Sequence, residues 1–146
     1  MRHLALTLLA LCSFTLSAQA EEWRGAVGPS ESVLLSFFHD GTFRLIYEER
    51  WEITRVAIAT GTFTRSPELL DLNVKAVEYD GPDAASRHPE DGFSIETPRL
   101  GVLDTNTKVR FWPGGWVRLK VLEDMDMLTL EREGGFHLLL RQGSAH

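Results

Sequence analysis

Cysteine is almost missing from this chain, since only Cys12 among 146 residues carries a thiol. Leu11, not a small residue, precedes it, so lipidation there is not expected. One thiol builds no disulfide framework and no thiolate metal site. Histidines are few and scattered: His39, His88, His137 and His146 form no i, i+4 pair. No imidazole metal motif results, and no metal or other cofactor is expected. Gly-x-Ser-x-Gly does not occur, and no serine and histidine stand in a spacing that singles out a hydrolytic pair. No catalytic residue is assigned.

A basic excess is also lacking. Lys and Arg number 15 against 21 Asp and Glu, for a net charge of −6. Lys75, Lys108 and Lys120 are spread along the chain. Nucleic acid is not an expected partner, because binding it rests on clustered cations that neutralise phosphates. An anionic membrane surface is excluded on the same ground.

Long apolar runs are confined to the N-terminus. Met1-Arg2-His3 gives a basic start, Leu4 to Leu16 is nearly all apolar or small, and Ala18-Gln19-Ala20 follows. These are the three parts of a secretory leader with a small-residue cleavage site. The apolar stretch is shorter than the roughly 20 residues of a membrane span. Residues 1–20 are therefore expected to be a cleaved leader, with 21–146 as one domain in the periplasm or outside the cell. Loss of Arg2 leaves 14 basic residues against 21 acidic ones, and the net charge becomes −7. No integral membrane segment is expected after cleavage.

What remains is rich in period-two alternation. Phe43, Leu45, Tyr47 and Trp51 share one side of Thr42–Trp51, with Arg44, Glu48 and Arg50 on the other. Leu70, Leu72, Val74 and Ala76 oppose Asp71, Asn73 and Lys75. Val117, Leu119 and Val121 oppose Arg118 and Lys120, and the same pattern returns at Leu128 and Leu130 and at Phe136 and Leu138. This is the signature of strands with one buried face, and none of these segments keeps helical spacing. Asp40-Gly41 and Gly134-Gly135 read as hairpin turns. Pro113-Gly114-Gly115 reads as a tight connection that makes Val109–Trp112 and Trp116–Val121 antiparallel neighbours. Asp80–Arg99, with Pro82, Pro89 and Pro98, reads as a long loop with one short strand at Phe93–Glu96.

The order Asp40-Gly41-Thr42-Phe43, Gly61-Thr62-Phe63, Leu70-Asp71-Leu72, then Leu128-Thr129-Leu130 with Phe136-His137-Leu138 resembles the bacterial lipocalin-like, or calycin-like, exported domains. The resemblance implies an all-β antiparallel up-and-down barrel of about eight strands. Such an interior holds side chains or one small ligand.

Two candidate surfaces follow. Phe43, Leu45, Tyr47, Phe63, Leu70 and Leu72 are the expected lining for a small apolar ligand inside the barrel. Trp112 and Trp116, on either side of the Pro-Gly-Gly turn, are the alternative: an interaction surface for an envelope protein or a secreted enzyme under inhibition. In both cases the expected function is non-enzymatic binding. Of the acids, Glu49 either projects into the interior or marks where the strand leaves the barrel. Glu123, Asp124 and Asp126 form an acidic turn without the ligand register of a calcium loop.

Overall fold

Ten strands account for most of the computed structural model, which describes residues 20–97, 107–133 and 135–143. Apart from Ala20, the expected leader lies outside the described residues. β1 (Ala20–Gly28), β2 (Glu31–Phe38), β3 (Thr42–Arg50), β4 (Thr54–Arg65) and β5 (Leu69–Asp80) run as a meander of antiparallel neighbours. β6 (Phe93–Glu96) and β7 (Lys108–Phe111) follow, then β8 (Trp116–Asp124), β9 (Met127–Arg132) and β10 (Phe136–Gln142). Eight of these close into a barrel in the order β1-β10-β9-β8-β5-β4-β3-β2, while β6 and β7 form a separate two-stranded sheet. The expected fold class is thus the observed one. No helix among the described residues is long and apolar enough to cross a membrane.

Local chemistry fixes the turns. Asp40 Oδ1 accepts from the Thr42 backbone N–H at 3.0 Å and from its hydroxyl at 2.6 Å, and Gly41 takes φ 85°. A short polar side chain beside a residue free of Cβ suits a tight hairpin. Along the wall the alternation is translated into burial. Trp23, Leu35, Phe43, Leu45, Leu70, Leu72, Leu128 and Leu140 are all at most 2 % exposed and belong to one continuous apolar cluster.

The alternation changes phase within β5. On β4, Thr60 pairs with Ala76 but Gly61 pairs with Val74, so Lys75 is the extra residue of a bulge. A Cβ on Gly61 would collide with the Asn73 carbonyl, which is why the close approach needs glycine. Beyond the bulge, Val77 is buried and Ala76 only half-buried. The expectation that Ala76 faces inward with Leu70, Leu72 and Val74 is corrected by this shift. Trp51 is corrected as well. β3 ends at Arg50, and Trp51 lies in the following turn at 60 % exposure.

The largest correction concerns Pro113-Gly114-Gly115. β7 does not pair with β8 across this turn. It pairs with β6, in the register Phe93↔Phe111, Ser94↔Arg110, Ile95↔Val109 and Glu96↔Lys108. The turn bonds to β5 instead: Gly114 N–H donates to the Val74 carbonyl, and Val74 N–H donates to the Gly115 carbonyl, both at 2.9 Å. It therefore hands the chain from one sheet to the other, and β8 pairs with β5 and β9.

Pro98 and Arg99 of the expected long loop lie outside the described residues, and the rest of it contributes to a structured plug. Two 3-10 turns, at Ala84–Ser86 and Pro89–Asp91, lead into β6. Phe93, Ile95, Val109 and Phe111 alternate with exposed Ser94, Glu96, Lys108 and Arg110, and all four apolar side chains join the barrel core. Burying each contributes about 1.5–3 kcal/mol, so the hairpin is held by its inner face without joining the wall's hydrogen-bond ladder. Polar contacts pin its edges. The Tyr79 hydroxyl donates to the Gly92 carbonyl at 2.6 Å, and His137 N–H donates to Thr97 Oγ1 at 3.1 Å.

The opposite end is closed by other means. The Arg65 guanidinium lies 6.0 Å from the Trp23 ring centre and 5.4 Å from that of Phe37. It also pairs with Glu21 at 3.3 Å and Glu123 at 2.8 Å. The seam between first and last strands is short, with Trp23↔Gln142 and Arg24↔Arg141 as its register pairs.

Candidate binding surfaces

The six residues expected to line a ligand cavity do share the barrel interior. Phe43, Leu45, Tyr47, Leu70 and Leu72 are buried, and Phe63 is half-buried at the end near Trp23. They touch one another and the plug. Phe37 and Phe63 rings meet at 4.7 Å, Tyr47 stacks on Phe93 at 6.1 Å, and Phe93 stacks on Phe111 at 5.3 Å. The plug's aromatics thus occupy the mouth of the barrel, in contact with the proposed lining.

Of these six side chains, Tyr47 alone has a polar tip. Its hydroxyl donates to Glu31 Oε2 at 2.6 Å at the plugged rim. Burial, together with the bond to Glu31, holds the phenol far above its ordinary range. Glu49 is partly exposed one residue before the end of β3, in register with Glu31 and Arg55. Among the described residues, no three His, Cys, Asp or Glu side chains stand together as a metal site.

The two tryptophans of the turn are brought together on the outside. Both line a groove of about 770 Å³, open to solvent, whose walls include Arg110, Arg118, Lys120 and Arg132 along with Glu131 and Glu133. Trp116 stands on the outer face of β8 at 53 % exposure. Trp112 is half-buried, because its indole lies flat on Gly115, where an added Cβ would come within 2.6–2.9 Å of the ring atoms. Each indole carries a guanidinium. Arg110 lies 5.5 Å from the Trp112 ring centre, and Arg118 lies 4.8 Å from that of Trp116.

Charge in the groove is partly committed. Arg118 makes a two-pronged pair with Asp71, with Nε to Oδ1 at 2.8 Å and Nη2 to Oδ2 at 3.1 Å. The Arg118 hydrogen bond holds the Asp71 carboxyl below its ordinary range. Lys120 reaches Glu133 at 3.8 Å. Arg110 donates only to the Asp91 backbone carbonyl, at 2.8 Å, and neither it nor Arg132 has a carboxylate partner among the described residues. Four cations stand against Glu131, Glu133 and the Asp71 partner of Arg118, which leaves a small positive excess on a chain whose net charge is negative.

Comparison with protein-family models, with curated proteins and with solved structures finds no match to this chain. The geometry above therefore carries the functional argument by itself.

Sequence reasoning found the tryptophans and missed their neighbours. Arg110 belongs to β7, two residues before Trp112, and Arg132 belongs to β9, which the β8–β9 pairing brings alongside. A signal was present: Phe93-Ser94-Ile95-Glu96 and Lys108-Val109-Arg110-Phe111 are two short alternating runs of equal length.

Proposed function

We propose that this chain is an exported, non-enzymatic binding protein that takes its partner on the outside of its barrel, in the Trp112–Trp116 groove. The observation that carries this reading is Trp116. A large indole more than half exposed on a rigid strand, beside a second indole and several cations, is the composition of an interface anchor. Arginine and tryptophan are the residues most enriched where binding energy concentrates. The interior supports this choice, since the residues expected to line a ligand site belong to one packed core with Phe93. Kinship with lipocalin-like domains, and export by the N-terminal leader to the periplasm or beyond, are part of the proposal. The eight-stranded closed barrel and the three-part leader support them.

The test compares wild type with Trp112→Ala plus Trp116→Ala for capture of partners from envelope extracts, beside displacement of an apolar dye by fatty acids. Loss of one specific partner in the double variant, with no dye bound, is expected. Stoichiometric dye binding displaced by fatty acid, with capture unaffected by the double variant, would move the function back inside the barrel.

A further inference from the structure

We propose that the edge of β8 at Trp116–Arg118 takes an extended, acidic segment of a partner protein as an added strand. This rests on the reading of the groove as the working surface and names what enters it.

Val121 N–H donates to the Glu68 carbonyl at 2.9 Å, on the β5 side. Backbone groups of alternate residues in an antiparallel strand point to opposite sides. Trp116, Arg118 and Lys120 therefore turn their N–H and C=O away from β5. At Lys120 that side is filled by its register partner Glu131 on β9. There the β8–β9 ladder stops, because β9 ends at Arg132 and the chain turns toward β10. Trp116 and Arg118 are left with no backbone partner on that side among the described residues. The place where β9 would continue is the groove itself, which Trp116, Val117, Arg118 and Arg132 border.

An open strand edge is a template for another strand. Its charges decide which one. Arg110, Lys120 and Arg132 are exposed around it, with Glu131 and Glu133 alongside; Lys120 is paired with Glu133, which leaves Arg110 and Arg132 as the cations without a carboxylate among the described residues. A second copy docking by the same edge would set these cations against themselves in a two-fold contact, so self-pairing is disfavoured. The same cations favour an acidic strand, whose outward carboxylates meet Arg110 and Arg132 while its backbone pairs with Trp116 and Arg118. The outward side chains of that strand share the face of the Trp116 indole, and the alternate ones turn to the barrel side.

The test uses the leaderless chain, labelled for amide NMR, and three end-blocked octapeptides: alternating glutamate and valine, alternating lysine and valine, and the glutamate form with a central proline. In the free protein the amides of Trp116 and Arg118 should exchange much faster than those of Val117 and Leu119. The glutamate peptide should slow exchange at Trp116 and Arg118 by about tenfold or more. Arg110→Glu plus Arg132→Glu, with circular dichroism unchanged, should weaken its binding by about tenfold. No binding of the glutamate peptide at millimolar concentration, equal binding of the lysine peptide, or undiminished binding of the proline peptide would each overturn the proposal. Protection at Trp116 and Arg118 that appears without peptide, together with a doubled mass, would replace the acidic strand by a second copy. Partner capture that depends on Trp112 and Trp116 without protection of these amides would defeat strand addition and leave the surface reading standing.

Discussion

Phe111→Ala is the most informative single perturbation of this fold. Phe111 is 1 % exposed, stacks on Phe93 at 5.3 Å, and belongs to a hairpin with no ladder bonds to the barrel wall. If the plug is part of the cooperative core, truncating a buried phenylalanine costs about 3–5 kcal/mol through lost transfer energy and the void left behind. For a chain of this size that loss lowers the melting temperature by roughly 10–20 °C. Urea unfolding followed by tryptophan emission measures it, because Trp23 is buried at the far end of the barrel while Trp116 reports the groove. Leu139→Ala is the control. Leu139 is 43 % exposed on β10, and its loss should change stability by no more than about 0.5 kcal/mol. A Phe111→Ala cost below about 1 kcal/mol would refute the reasoning. Two separate transitions would do the same, since they would make the plug a flap lying on an independently stable barrel.

Other expectations are quicker to check. Met125 holds φ 54° at 91 % exposure in the β8–β9 turn, so Met125→Gly should raise stability by about 1 kcal/mol in thermal denaturation. Gly115→Ala should displace the Trp112 indole, costing roughly 1–3 kcal/mol and shifting tryptophan emission. Asp71→Asn releases Arg118 and removes a negative charge beside the groove, so an acidic peptide should bind more tightly and with steeper salt dependence. The same substitution tests linkage. The Asp71 carboxyl is held low in the fold, so its contribution is complete above the ordinary carboxylate range and is lost as pH falls through the lower folded value. Between about pH 5 and 2 the stability of Asp71→Asn should therefore fall less than that of wild type.

Wall strands were legible because each has one wet face. Phe43, Leu45 and Tyr47 alternate with outward residues, and a period of two admits no helical reading. The interaction surface was half legible, since Trp112 and Trp116 bracket a turn that any reading of local chemistry notices. Its other half includes Arg132, which reaches the groove only through the β8–β9 pairing. Pro113-Gly114-Gly115 misled because a tight turn ordinarily joins partners, and nothing local to it reveals that Val74 accepts and donates its backbone bonds. The phase change at Lys75 was hidden for a similar reason. A bulge is set by the strand opposite, here by Gly61 against Asn73.

The short seam between β1 and β10 has a kinetic meaning. Most wall strands bond to a sequence neighbour, but Trp23 must find Gln142 near the other end of the polypeptide. A ribosome or a secretion channel releases the amino end first, and loops this long are costly to close. Early strands can assemble as an open ribbon within the first moments of release. The cylinder itself is completed only when Phe136–Gln142 has emerged, and until then the flank of Ala20–Gly28 lacks its last strand. Shortening the chain by those seven residues should therefore produce a sticky ribbon and not a smaller barrel.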